Sequence, residues 1–210
     1  MKLVIFGANG KTGKLLVEQA LEKGHEVIAY VRREGSITLK NPKLKVVTGQ
    51  LNDTEKLHEA IAGSDVCLST LGAHRITKRS PEITRGIDLI TGVMEQEHVH
   101  RLIYMSSIGV GDSKYLMGKF LRFIIVKMLL REPMADHNAN EKRIAQSHLD
   151  WTVVRPGSLS NDKKADKVRV GSGYIKLNST PTISRASVAS VMLDQIDCRD
   201  YIRQGIWAFE

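Results

Sequence analysis

The sequence predicts an α/β fold, a parallel sheet with helices on both faces in one domain. Three observations carry this. Residues 2–6 form a short apolar run that ends on three glycines spaced three apart, Gly7, Gly10 and Gly13. A helical pattern and a second apolar run, residues 27–31, follow directly. Short apolar runs then alternate with helical patterns to the end of the chain, which argues strands joined by right-handed helical crossovers. A length of 210 residues suits one domain with a substantial core.

The opening stretch, MKLVIFGANGKTGKLLVEQALEKGHEVIAYVRR, reads as strand, tight turn, helix, strand. That is the start of a Rossmann-type dinucleotide-binding unit. Gly7 and Gly10 permit the turn and a close approach of backbone to pyrophosphate, and Gly13 lets the helix pack closely on the sheet. The helix start offers unpaired N–H groups and partial positive charge to phosphates. The segment expected around the cofactor is Gly7, Ala8, Asn9, Gly10, Lys11, Thr12 and Gly13.

The remaining elements follow in order. Residues 44–48 form a strand, and Asn52 or Asp53 caps a helix running to about Ala62. Residues 66–71 form the fourth strand. Pro81 opens a helix to about Glu97, and residues 102–105 are a fifth strand with Ser106 and Ser107 at its carboxyl end. Ligands of open α/β sheets lie beyond such ends. Residues 116–130 carry apolar side chains on nearly every helical face, which suits a buried helix, a lid over a pocket or a subunit contact. A helix over 137–147, a sixth strand over 151–154, a short strand over 167–170, a helix capped by Ser184 or Ser187 and a last strand over 205–209 complete the chain. The substrate region is expected in loops around 72–80, 108–135 and 157–183.

Composition narrows the class. The chain is 42% apolar and 5% aromatic, with a formal charge of +8. Its Lys and Arg residues are dispersed, with no zinc finger and no basic stripe interleaved with aromatics, so no nucleic-acid partner is expected. The two cysteines, Cys67 and Cys198, lie far apart and outside any CxxC pair, which predicts neither metal site nor disulfide and fits a reducing, cytoplasmic setting. No secretory leader and no membrane span are expected. A monomer or homodimer fits equally well.

Arg32 and Arg33 stand at the end of the second strand, about where an acidic residue would take the adenosine ribose hydroxyls. Arginine there pairs instead with a 2′-phosphate, so NADP(H) is expected ahead of NAD(H). Gln50 and Leu51, after the third strand, and Leu71 and Gly72, after the fourth, are placed to line the cofactor. Candidates at the nicotinamide end are Ser107, Tyr115, Lys119, His137 and Ser158. Tyr115 and Lys119 share a helical face by spacing, as an acid and its pKa-lowering partner would. His137 and Glu141 also stand four apart. Without a third ligand they read as a helix-surface pair or pocket rim rather than a metal site.

The combination GANGKTG, VIAYVRR, MSSIGVGDS and DHNANEKRIAQSHLDWTVVRPGSL resembles the atypical short-chain dehydrogenase/reductase group, with the NmrA-like and NAD(P)H-flavin reductase (biliverdin reductase B-like) proteins as its nearest members. The resemblance spans nearly the whole chain. It implies a Rossmann fold, NADP(H) as cofactor and a small planar aromatic substrate such as a flavin or quinone. Other members only sense the cofactor, and extended relatives act on sugars or ketones. Matched position by position, it implies phosphate binding by Gly7, Gly10, Thr12 and Gly13 and adenosine-phosphate binding by Arg32. It places Leu71 and Gly72 beneath the cofactor, Ser107 near the nicotinamide, and Pro156, Gly157 and Ser158 along the nicotinamide and substrate. The Tyr-Lys pair of the extended relatives is missing from the position near His137. A flavin or quinone tolerates that loss, because the ring is already electron-poor and stacking on the cofactor does most of the work.

Overall fold

The computed structural model describes residues 1–72, 79–115, 131–175, 177, 179 and 181–210. Ten strands and five helices are seen among them: β1 (Lys2–Phe6), α1 (Lys11–Glu22), β2 (Glu26–Val31), β3 (Leu44–Thr48), α2 (Thr54–Ile61), β4 (Val66–Ser69), α3 (Pro81–Gln96), β5 (Arg101–Met105), α4 (Arg131–Gln146), β6 (Asp150–Pro156), β7 (Ser158–Ser160), β8 (Arg169–Gly171), β9 (Thr182–Ser184), α5 (Arg185–Asp194) and β10 (Gln204–Phe209). A 3₁₀ turn, Gly111–Tyr115, follows β5.

Eight strands form one sheet in the order β3-β2-β1-β4-β5-β6-β10-β8. The chain runs outward from β1 to one edge, returns, and runs to the other, so the order reverses between β1 and β4. That is the Rossmann topology, and its switch point lies at the carboxyl ends of those two strands. The strands read as nearly continuous apolar runs because both faces are covered. One core packs Leu3, Ile5, Val66, Leu68 and Ile103 against Leu16, Val17 and Ala20 of α1 and Val188 and Met192 of α5. The other packs Val4, Phe6, Leu102 and Tyr104 against Leu57 of α2, Ile87 and Ile90 of α3 and Ile144 of α4. Each such aliphatic residue contributes roughly 1.5–3 kcal/mol on full burial.

Caps fix several boundaries. Asp53 accepts from the Lys56 backbone N–H at 3.1 Å and starts α2. Ser184 accepts from the Ser187 N–H at 3.1 Å and starts α5. Both agree with expectation. Arg101, 9% exposed, donates to the Gln195 and Asp150 carbonyls at 2.5 and 2.8 Å, tying the end of α5 to the amino edge of the sheet.

Four expectations are corrected. The sheet is parallel except at its edge, where β8 pairs antiparallel with β10, Trp207 opposite Gly171. The fourth strand stops at Ser69 rather than Leu71, where Thr70 turns its hydroxyl onto the Phe6 and Gly7 carbonyls. The helix expected from 137 is already formed at Arg131. The short strand expected over 167–170 runs Arg169–Gly171, and a separate parallel pair, β7 with β9, was not anticipated.

Loss of the α2 cap gives a direct check. Asp53→Ala is expected to lower unfolding free energy by about 1 kcal/mol, read from urea denaturation at unchanged slope.

Candidate functional site at the carboxyl ends of the strands

The turn after β1 is built on backbone contact. Gly7 has φ +75°, and the Gly10 N–H donates to its carbonyl at 2.9 Å. A Cβ on Gly7 would press on Thr70 Oγ1 at 2.9 Å and on the Leu71 N at 3.1 Å. A Cβ on Gly13 would overlap the Gly7 carbonyl oxygen and come within 2.9 Å of the Ala8 Cα. Gly13 therefore lets α1 pack on the turn itself, rather than on the sheet as the sequence suggests. Gly10 is exposed, and a Cβ there would meet only the Gly7 oxygen, at 3.2 Å. Gly10 is also the N-cap of α1, and no side chain caps the helix. Its first turn carries no acidic residue. The N–H groups and positive end of α1 are thus left for a ligand.

Around this turn the expected positions fall as follows. Asn9 and Lys11 are exposed, while Ala8 and Thr12 are buried in the packing of α1. Arg32 and Arg33 directly follow β2, both exposed. The Gln50 carbonyl accepts from Tyr30 Oη at 2.8 Å, which fixes the chain after β3 against β2. Burial, with the Asp53 and Glu59 charges, pushes the Tyr30 hydroxyl up to about 12 and keeps it a donor. Leu51 packs close to Gly86 of α3, Leu71 is half-buried, and the exposed Gly72 has open space where a Cβ would stand.

Of the nicotinamide-end candidates, Ser107 lies just beyond β5, Ser158 on β7 and His137 on α4. Beyond β5, the Ser106 N–H donates to the Val154 carbonyl at 2.7 Å and the Ile108 N–H to the Pro156 carbonyl at 2.9 Å. This pairing sets Ser107 beside Pro156. Ser107 is half-buried, and its hydroxyl reaches the Ile108 carbonyl at only 3.3 Å. Ser106 is 3% exposed, and its Oγ has no partner among the described residues. The Ser158 N–H donates to the Pro181 carbonyl at 2.8 Å, which seats β7 on the chain entering β9 and leaves the residue exposed. Tyr115 closes the 3₁₀ turn; its side chain, Lys119 and residues 116–130 lie outside the described residues.

Helix α4 supplies the polar cluster that the sequence only hinted at. His137 Nδ1 lies 2.9 Å from Tyr104 Oη, and the Asn140 amide nitrogen donates to that hydroxyl at 2.9 Å. Asp136 accepts from the Ser80 N–H at 2.7 Å at the start of α3. Glu141 is no helix-surface partner of His137. It is 8% exposed and takes Arg155 on both oxygens, at 3.1 and 2.8 Å. Arg155 also pairs with Asp112. A side chain on Gly111 or Gly205 would strike the guanidinium. Burial opposes the guanidinium charge, but the two carboxylates outweigh it and hold Arg155 above its ordinary pKa. Burial pushes His137 down to about 4 and the Tyr104 hydroxyl well up, so both stay neutral near pH 7.

Beyond Arg155 a cleft of about 210 Å³ is lined by Asp112, Ser113, Tyr174 and Trp207. A larger groove of about 540 Å³, between Lys23, His25 and Asp194, lies at the amino ends of the strands, away from the glycine turn. Among the described residues no cluster of three or more His, Cys, Asp or Glu could hold a metal ion. No described helix is long and apolar enough to cross a membrane.

Fold and site together define a dinucleotide-binding Rossmann protein. The NAD(P)H-binding family model matches residues 7–199, and the chain belongs to that family. The resemblance to atypical short-chain dehydrogenases/reductases is thereby borne out. An uncharacterized chloroplastic protein of Arabidopsis thaliana is 29% identical over 178 residues, 80% of this chain and 62% of its own length. An isoflavone reductase homolog of Nicotiana tabacum is 28% identical over 49% of this chain and 34% of its own length. The chain thus spans less than two thirds of either relative. Two solved structures share the fold over the whole chain. A short-chain dehydrogenase/reductase of Veillonella parvula in complex with NADP has TM-score 0.84 at 18% identity and is covered over 94% of its length. ChuY, an anaerobillin reductase of Escherichia coli O157:H7, has TM-score 0.81 at 21% identity and is covered over 97%.

Two measurements test these contacts. Glu141→Ala strands a buried guanidinium and is expected to cost about 3–5 kcal/mol, against less than about 1 kcal/mol for Asp112→Ala, whose carboxylate is largely exposed. His137 is held neutral in the folded state while the unfolded chain takes up a proton near the ordinary histidine pKa. As pH falls from about 6.5 toward 4 the unfolded state gains protons first, and stability drops by up to about 3 kcal/mol. Denaturation of His137→Gln across that window is expected to lack this component.

Proposed function

We propose that the protein is an NADP(H)-dependent reductase that passes hydride to a flat, electron-poor acceptor of the flavin or quinone type. The observation that carries the cofactor half is the uncapped start of α1 behind the Gly7–Gly13 turn, with Arg32-Arg33 and no acidic residue at the end of β2. That arrangement fits a phosphorylated dinucleotide. Backbone N–H groups at Asn9, Lys11 and Thr12 face the pyrophosphate, with Lys11 adding charge. Arg32 and Arg33 take the 2′-phosphate, where guanidinium hydrogen bonds are charge-assisted. Gln50 and Leu51 border the adenine, and Leu71 and Gly72 run beneath the cofactor, Gly72 without a side chain to obstruct it. Ser107, Pro156, Gly157 and Ser158 border the nicotinamide.

The bound cofactor supplies the hydride. The chain's own residues hold an acceptor ring over it and exclude water. The absence of a Tyr-Lys pair on α4 supports a flat redox acceptor over a sugar or ketone. Glu141, which stands four residues after His137, is committed to Arg155, and as a carboxylate it would raise rather than lower the pKa of a neighbouring acid. The same commitment favours a second reading, a cofactor sensor without turnover. The name of the anaerobillin reductase that shares the fold supports the planar-acceptor reading.

Two assays separate these outcomes. NADPH is expected to bind at least about tenfold more tightly than NADH, a preference lost in Arg32→Ala with Arg33→Ala. Equal affinities unaffected by the double substitution would refute the assignment. NADPH oxidation is expected with FMN, riboflavin or simple quinones; tight binding without turnover on any of them points to the sensor.

A further inference from the structure

The polar cluster on α4 has a direction. Asn140 donates its amide N–H to the Tyr104 oxygen at 2.9 Å, so the Tyr104 proton is free to point elsewhere. The other polar atom in reach is His137 Nδ1, also at 2.9 Å. A neutral imidazole carries one N–H and one acceptor nitrogen. If Tyr104 donates to Nδ1, the imidazole proton must sit on Nε2. With Tyr104 Oη already accepting from Asn140, the chain Asn140 → Tyr104 → His137 favours the Nε2–H tautomer.

Tyr104 is fully buried and Asn140 is 2% exposed. The arrangement also carries a cost, because Asn140 Oδ1 is buried without a partner among the described residues. An orphaned buried acceptor forfeits its hydration without return, so stability alone gives no reason to retain a polar trio inside an apolar core. The trio sits where ligands of this fold lie. Tyr104 is two residues before Ser106 at the end of β5, and Asp136, beside His137, holds the Ser80 N–H at the start of α3. His137 keeps part of its surface, and its Nε2 has no partner among the described residues.

We propose that Tyr104 and Asn140 are positioning residues that hold His137 as the neutral Nε2–H tautomer, which donates a hydrogen bond to an oxygen or ring nitrogen of the acceptor. The assignment rests on the reductase reading for its substrate and adds a requirement to it: the acceptor carries a hydrogen-bond acceptor atom beside the carbon or nitrogen that receives hydride. When a quinone or flavin takes a hydride, negative charge develops on such an atom, and a fixed N–H aimed at it stabilises that charge. The proton that balances the step comes from water. A neutral imidazole is too weak an acid to give up its remaining proton, and it acts as a hydrogen-bond donor in the way described for other neutral active-site histidines. The charged groups around it are spoken for: Glu141 on α4 holds Arg155, and Asp136 holds the Ser80 N–H.

The tautomer is directly measurable. Long-range ¹H–¹⁵N correlation spectra of histidine-labelled protein, with the His137 signals identified by their loss in His137→Gln, are expected to show Nε2 protonated at pH 7. Adding a naphthoquinone to the protein with oxidised NADP⁺, where no turnover occurs, is expected to shift the Nε2 and Hε2 signals. Tyr104→Phe preserves the ring packing and removes the relay. It is expected to release the tautomer to a mixture and to lower kcat about tenfold while leaving KM for NADPH unchanged. A protonated Nδ1 in the parent protein, an Nε2 signal indifferent to quinone and FMN alike, or a tautomer and kcat unmoved in Tyr104→Phe would each overturn the assignment. A quinone-shifted Nε2–H signal in a protein that oxidises no NADPH supports the donor and refutes the reductase reading, so the two fail separately.

Discussion

Two backbones meet in the Gly7–Gly13 turn more closely than any side chain allows. Because Gly13 has no Cβ, the first turn of α1 lies directly on the Gly7 carbonyl. Because Gly7 has no Cβ and takes a positive φ, the chain turns out of β1 without striking Thr70 at the end of β4. The positive end of α1 is thereby held over the point where strand order reverses. Everything assigned to the cofactor follows from that placement. Arg32-Arg33 lies one strand to one side, and Leu71-Gly72 one strand to the other, so a single extended ligand would touch all three.

At the opposite half of the sheet the constraint is electrostatic. Helix α4 must cover β5 and β6, yet its sequence is poor in apolar residues, and it meets the sheet with Asp136, His137, Asn140 and Glu141 instead. Each of these four residues has a definite partner: Glu141 with Arg155, Asp136 with the start of α3, His137 and Asn140 with Tyr104. Gly111 and Gly205 make room for the guanidinium. A packed apolar interface would hold α4 as well or better. What the polar interface adds is orientation, an imidazole of fixed protonation at the carboxyl end of β5.

Much of this was legible beforehand, for local reasons. Apolar runs bounded by glycines gave β1, β2 and β3, and the caps at Asp53 and Ser184 are interactions between residues three apart. The misses are long-range. β7 and β9 have three residues each and exist because Ser158 bonds to the Pro181 carbonyl, a pairing no local pattern encodes. Glu141 looked like a surface or pocket-rim partner of His137 because both share a helical face; the arrival of Arg155 from β6 shows it buried in an ion pair instead. Tyr104 stands inside the strand expected over 102–105, where no local pattern marks it as a polar partner. The usable signal was the weak apolar periodicity of α4 beside a run of Asp, His, Asn and Glu, since a helix that must cover a sheet with such residues has to find them partners.

The most direct measurement is a single turnover of the protein loaded with NADPH deuterated on one face of nicotinamide C4, mixed with a quinone or FMN. Direct hydride transfer in a site that holds the ring in one orientation predicts slowed oxidation for one labelled face and an unaffected rate for the other. Oxidation insensitive to the label on either face, or none at all from the loaded protein, would contradict it.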